Sequence, residues 1–372
     1  MNYPRLLQSV YRVDNQGSSV FDVDHNGIGP LSDCITCEVS EEKNGAYTLS
    51  MEYPVGGLHW LDLDIGRTIV CKPNQYDQEQ PFIIKKISKA MAGRIKIDAE
   101  HISYNANGII VAGFNAGNAG AFRTFINDNA LNNQFTFDSD IVATGVHIGV
   151  YKPPRSMRSL LLDKKNSSFI GLYGGEFEFN RLAIFAHKSR GSDRGVIIRY
   201  GKNLTALTQT RTAREFATAV YPYWYNANAQ ATRYVELPEK ILDLGTADYS
   251  DIYKTIPIDL SSKFEEAPTP EELREAATIW INDNWEPSPP LNIKLSFVEL
   301  SKTTEYANIA AAEMVKLCDT VTVFYPDFNL SLKMQVIKTL YDALTGRYKS
   351  IEVGDPIDTL ADTIIKMAGG KE

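Results

Sequence analysis

Three hundred and seventy-two residues exceed one ordinary core and imply two or three domains. Hydrophobic residues at 44% and charged residues at 23% match a soluble globular chain. No window reaches the roughly 18 consecutive apolar residues of a membrane helix, so no membrane partner is expected. The net charge of −8 is uneven, because residues 226–315 alone hold 16 acidic and 7 basic side chains. That stretch reads as a separate acidic insertion in a chain that is otherwise nearly neutral. No Lys/Arg cluster of the kind that neutralises phosphates occurs, which argues against specific nucleic-acid binding.

The opening Met1-Asn2-Tyr3-Pro4-Arg5 lacks the apolar core of a secretory signal, so ordinary export is not expected. The first hundred residues are strand-like. Residues 19–24 followed by His25-Asn26-Gly27 predict a hairpin, and so does Asn44-Gly45 between residues 36–39 and 46–53. Strands at 69–72, 81–87 and 94–99 continue the meander, with Ala92-Gly93 turning between the last two. Residues 105–145 are rich in Asn, Gly, Ala and Phe, with one helix near 120–129. Ser156 caps a short helix over 157–162. Strands return at 175–179, 182–187 and 196–200, the last after a basic turn at 188–195.

In the acidic block, Thr269-Pro270-Glu271-Glu272 is a capping box with proline at the first helical position. Leu273, Ala276, Ala277, Trp280 and Trp285 follow on roughly one face. Residues 320–324 and 330–341 are strands again, and Leu344-Thr345-Gly346-Arg347 turns into 348–353. Asp355-Pro356 caps a final helix to about Met367. The fold class is mainly β with α+β insertions. We expect five parts: a first β-barrel domain over 1–105, a mixed connecting region over 106–165, and a second β-barrel over 166–225 and 316–354. The acidic insertion at 226–315 and a C-terminal helix and tail at 355–372 complete them.

Candidate chemistry is sparse. Asp22, Asp24 and Asn26, with Gly27 and with Asp33 at the twelfth position, approach the spacing of a calcium loop. The short twelfth ligand, the β-branched flanks and Pro30 favour an ordinary hairpin turn. Cys34 and Cys37 have the spacing of a zinc half-site, but in an extended segment residues three apart face opposite ways and do not converge. Neither a metal nor another cofactor is expected. Glu176 and Glu178 alternate with Phe177 and Phe179 as on any half-exposed strand, whereas glycosidase carboxylates face each other across a cleft. No GxSxG, HExxH, SxxK or P-loop pattern occurs, so an enzyme is the weaker class. Tyr221, Tyr223, Trp224 and Tyr225 put four rings into five residues, and they are the interface candidates. A carbohydrate platform is their alternative use.

Several stretches form an ordered set. They are 44–49 (NGAYTL), 102–104, 172–179 (LYGGEFEF), 194–205 (RGVIIRYGKNLT), 319–323 and 341–348 (YDALTGRY). Together they resemble the prophage tail endopeptidase family over nearly the whole chain. The resemblance implies a fold like the baseplate hub of contractile-tailed phages. In such a hub, two related β-barrels from each of three chains form a pseudo-sixfold ring that joins the tail tube to a spike or fibre and lets DNA pass. It implies a homotrimer in the distal tail of a virion, made in the bacterial cytoplasm. Its partners would be distal tail, tail-tube, spike and receptor-binding proteins. Members called endopeptidases carry their lytic chemistry in a C-terminal extension, which this chain, ending at Glu372, does not contain. No catalytic residue is therefore carried over. The alternatives are a cell-wall peptidase acting on peptidoglycan and a carbohydrate-binding module.

Overall fold

The computed structural model describes residues 3–354 except 14–15, 90, 92, 113, 117, 143–148, 152–153, 164–167, 214–215, 227–231, 247–248, 250, 265, 286–288, 299–313 and 329. The chain divides into two compact units. The first takes residues 1–163, 167–208 and 293–354, and the described part of the second is 209–292. No helix among the described residues is long and apolar enough to cross a membrane. The predicted C-terminal helix lies outside the described residues.

Strands dominate the first unit, as the alternating sequence predicts. The Asn44-Gly45 turn joins Thr36–Glu42 to Tyr47–Pro54 as an antiparallel hairpin, with Asn44 at φ 54°. Tyr47–Pro54 pairs onward with Arg94–His101, which pairs with Gln80–Lys89 and that with Thr68–Cys71. On the other flank of the hairpin lies the long strand Leu330–Asp342. Its second half pairs with Thr36–Glu42 and Arg347–Gly354, and its first half pairs with Thr320–Tyr325. The C-terminal strands therefore extend the sheet begun by the N-terminal ones. Thr320–Tyr325 in turn holds Asp193–Arg199 in parallel. Inward-facing Leu49, Met51, Tyr53, Phe82, Ile84, Ile95 and Ile97 fill the core with almost no exposure.

Among the described residues three helices pack on this core, two of them where the sequence predicts them. Ala119–Asn129 is capped by Asn118, whose side chain accepts from Ala121 at 2.8 Å, and Met157–Leu162 is capped by Ser156. The third, Phe169–Tyr173, brings Phe169 edge-on to Phe137 at 5.1 Å.

Two expectations fail for physical reasons. Ser19–Phe21 pairs backward with Tyr11–Val13, so His25-Asn26-Gly27 is not a hairpin turn. Arg5 draws that segment in instead, donating to the carbonyls of His25 at 2.5 Å and Val23 at 3.2 Å. Residues 29–30 then lie beside Arg5–Leu7. Cys34 and Cys37 do converge, because Cys34 sits in the turn before Thr36–Glu42 and not in extended chain. The Cys34 thiol donates to the Thr36 carbonyl at 3.1 Å, and the neighbouring Cys37 thiol, with burial, pushes its pKa up.

The described residues of the second unit form a small sheet covered by one helix. Ala219–Tyr225 pairs antiparallel with Tyr234–Glu236 and Leu242–Asp243, and parallel with Thr255–Asp259. The helix Pro270–Asn284 carries the predicted capping box in full, Thr269 accepting from the Glu272 N–H and Glu272 from the Thr269 N–H. Leu273 and Ala277 are buried against Val220, Trp224 and Ile258, and Ala276 and Trp280 pack beside them. Trp285 ends the helix with its indole N–H donating to Ala217 at 3.0 Å.

Candidate functional site

The most organised polar constellation lies inside the first unit, where the basic turn at 188–195 meets the 315–319 segment and the Asn44 hairpin. Thr36–Glu42 alternates, so Cys37, Val39 and Glu41 point to the buried face. A carboxylate there needs a partner, and Arg190 supplies it at 2.9 Å while also donating to the carbonyl of Phe177 at 3.1 Å. Burial alone would lower the Arg190 pKa. Glu41, with Cys318 and Glu178, outweighs that and holds it above the usual value.

In the strand Glu176–Asn180, of a separate small sheet, Glu176 lies 2.9 Å from Lys43 and accepts from Gln335 at 2.7 Å and from the Arg190 N–H at 2.7 Å. Burial raises its pKa, but these donors together hold it below the ordinary carboxylate range. Gln335 also donates to the Cys318 carbonyl at 3.0 Å. Burial pushes the Cys318 thiol up to about 12, so it stays protonated. Asp77 bonds Asn74 and Lys316, each at 2.7 Å. A polar cleft of about 280 Å³ opens beside this network, lined in part by Glu41, Tyr47, Tyr76, Asp77, Glu178 and Arg190. Glu41, Asp77 and Glu178 are paired with Arg190, Lys316 and His187 respectively, so the cleft lies where segments distant in the chain are joined.

The glutamates weighed as a catalytic pair are committed separately, Glu176 as above and Glu178 to His187 at 2.7 Å. Glu176 is buried, not on a half-exposed face as the alternation suggested. His101 stacks on Tyr47 at 4.3 Å, accepts from the Ser103 N–H and meets Gln80 at 3.1 Å. Burial lowers its pKa to about 3, so it is a neutral core residue.

The calcium-loop residues are not brought around one point. Asp22 pairs with Arg12 at 3.0 Å, Asp24 with Arg181 at 2.7 Å, and Asp33 accepts from the Leu58 N–H at 2.6 Å. Asn26 stands in the segment held by Arg5. Among the described residues no group of three or more His, Cys, Asp or Glu side chains is placed to hold a metal.

The four interface candidates separate by strand alternation. Trp224 is buried in the second unit's core and donates to the Phe264 carbonyl at 3.3 Å. Tyr221, Tyr223 and Tyr225 take the other face, beside Tyr234. Tyr223 stacks on Tyr234 at 6.1 Å, and Tyr221 bonds the carboxylate of Glu236 and the hydroxyl of Tyr234. Burial and the nearby Asp259 raise the Tyr223 phenol to about 12.

Some motif residues behind the resemblance join distant segments and others hold their own turns. Arg194 pairs with buried Asp319, which also accepts from the N–H groups of Ser192 at 2.9 Å and Lys316 at 2.8 Å. Asn203 accepts from the Arg199 N–H at 2.9 Å and donates to the Ile197 carbonyl at 3.2 Å, which satisfies part of that strand's outer edge. Asp342 accepts from the Leu344 N–H at 3.0 Å, and Tyr348 donates to the Val315 carbonyl at 3.1 Å. Asn44 clasps 175–177, donating to the Gly175 carbonyl and accepting from the Phe177 N–H.

Residues 192–364 match the model of the family described as prophage endopeptidase tail. The earlier motifs fall outside that match, and there the likeness is one of fold. No curated protein sequence matches the chain. The fold is shared with a prophage tail protein, gp18, of Listeria monocytogenes, at TM-score 0.56 and 12% identity over 99% of this chain and 98% of that one. A 43 kDa tail protein of prophage MuSo2 from Shewanella oneidensis is similar at TM-score 0.60 and 9% identity, over 95% and 98% of the two chains. A tail protein of Neisseria meningitidis is similar at 0.57 and 8%, over 95% and 97%. Residues 192–364, just under half of the chain, thus resemble the prophage endopeptidase tail family, and the fold is shared with these tail proteins over 95% or more of the chain.

Proposed function

We infer that this protein is a structural component of the distal phage tail. It would form a homotrimeric ring that joins the tail tube to the spike or receptor-binding apparatus and lets DNA pass. The observation that carries this reading is the fold shared with two prophage tail proteins and a third tail protein over 95% or more of the chain. The paired state of the buried charges supports a framework role, because a hub needs rigid junctions between distant segments and no reactive group. A net charge of −8 favours passage of nucleic acid over its retention. The tyrosines of the second unit would face neighbouring tail proteins. The virion's distal tail is the site of action, after synthesis in the bacterial cytoplasm.

Deleting the gene from an inducible prophage tests the reading. Induced particles should lack their distal assembly and fail to infect, and antibody against the protein should label the tail tip of wild-type particles. Normal tips without the protein, or label elsewhere, would overturn it. Purified protein should leave peptidoglycan undigested, whereas digestion lost in a point variant would favour the peptidase.

A further inference from the structure

The first unit exposes two apolar surfaces of different character. One is the connection from Tyr47–Pro54 to Thr68–Cys71, where Val55, Leu58, Leu61 and Ile65 are exposed, Leu61 by 77%. Ile35 is exposed beside them, since the Leu58 N–H donates to Asp33 and the Ile35 N–H to Glu52. Trp60 and Leu63 of the same loop pack into the core, so the loop is anchored and its outward aliphatic side chains are not a packing failure. Its own charges are Asp62, which pairs with Arg67 at 3.1 Å, and exposed Asp64, which leave the loop acidic by one charge.

The other surface is the outer face of Asp193–Arg199 and Thr320–Tyr325. The register Ile197↔Thr322 and Arg199↔Phe324 puts Ile197 and Phe324 on one side, both exposed. At the end of these strands Tyr200, Tyr325 and Phe328 form a ring cluster, with centroids 5.3 and 4.8 Å apart. The charges here are Arg199, whose guanidinium lies 5.9 Å over Phe324, exposed Lys202, the ion pair of Lys333 with Asp193, and exposed Asp327, which leave the face basic by one charge. Along the sheet, Leu330–Asp342 and Thr36–Glu42 separate this face from the strand that leads into the loop.

Two copies related by a twofold axis need one self-complementary patch, whereas a closed ring of three needs two different patches on each copy. Exposed apolar patches on soluble proteins mark interaction sites, and an acidic rim opposite a basic one fixes which patch meets which. We propose that these are the two halves of one protomer–protomer contact, the 55–65 loop of one copy seating on the Ile197–Phe324 face of the next. The proposal rests on the trimeric reading above and names the surfaces that close the ring.

Sedimentation equilibrium on two variants and their mixture tests it. Leu61→Asp with Ile65→Asp disables the loop, and Phe324→Glu with Phe328→Glu disables the face. Wild type should be trimeric and each variant alone monomeric with unchanged circular dichroism. An equimolar mixture should give a heterodimer, because one intact loop then meets one intact face. Milder Asp64→Lys and Arg199→Glu variants, each at an exposed position, should weaken association at least about tenfold and restore it when combined. Variants that stay trimeric would overturn this assignment and leave the trimer standing. A wild type that is monomeric throughout would overturn the trimer, and the contact with it.

Discussion

The guanidinium of Arg190 lies 2.9 Å from the carboxylate of Glu41, with only 12% and 7% of the two side chains exposed. Glu41 is on the N-terminal hairpin and Arg190 on the turn that opens the family-matched region, so this pair ties the two parts of the first unit together. Removing one partner leaves a buried charge uncompensated, which costs about 3–5 kcal/mol. Arg190→Ala and Glu41→Ala should each lower stability by that amount in urea unfolding. The double variant should cost less than the sum.

A contact beside this pair leaves no room for a side chain. A Cβ on Gly191 would stand 1.8 Å from the Cys318 carbonyl oxygen, and backbone cannot move aside as a flexible side chain does. Gly191→Ala should therefore destabilise by at least about 2 kcal/mol. Thermal unfolding should show this, and Gly108→Ala, at φ −90° with only an ordinary contact near its Cβ, should cost less.

How much of this was legible follows from the residues. The Asn44 turn, the Ser156 cap and the Thr269 box are legible because each is a local rule satisfied within a few residues. The His25-Asn26-Gly27 turn failed because a distant residue, Arg5, overrides it. Cys34 and Cys37 failed because the strand begins after Cys34. The Arg190 network was only half visible. Glu41 on the apolar side of an alternating strand signals a buried partner, but sequence spacing does not reveal that the partner is 149 positions away. Gln335, 159 positions from Glu176, left no local signal at all.

His101 gives the first unit a pH dependence of known sign. Its pKa is about 3 when folded and about 6.5 when unfolded. The unfolded chain therefore takes up a proton that the folded one refuses as pH falls below 6.5. Stability is full above that pH and falls below it, by about 2 kcal/mol at pH 5. His101→Phe keeps the stacking on Tyr47 and should abolish this part of the loss between pH 7.5 and 5. The depressed carboxylates of Glu176 and Asp77 act lower. Their stabilisation is present above about pH 4 and lost below it in wild type and variant alike.

In the second unit, Trp224→Ala should cost about 3–5 kcal/mol, because it empties a buried site and orphans the Phe264 carbonyl. Tyr225→Ala, on the outer face, should cost less than about 1 kcal/mol. Thr269→Ala should remove about 1 kcal/mol by breaking the capping box. Hydrogen exchange would show whether these losses stay within residues 209–292.

The central claim, a structural ring at the tail tip, is tested most directly by the mass of the wild-type protein in solution. Sedimentation equilibrium should give three times the chain mass of 41.5 kDa, dissociating only on dilution. A single-chain mass at every concentration would contradict it.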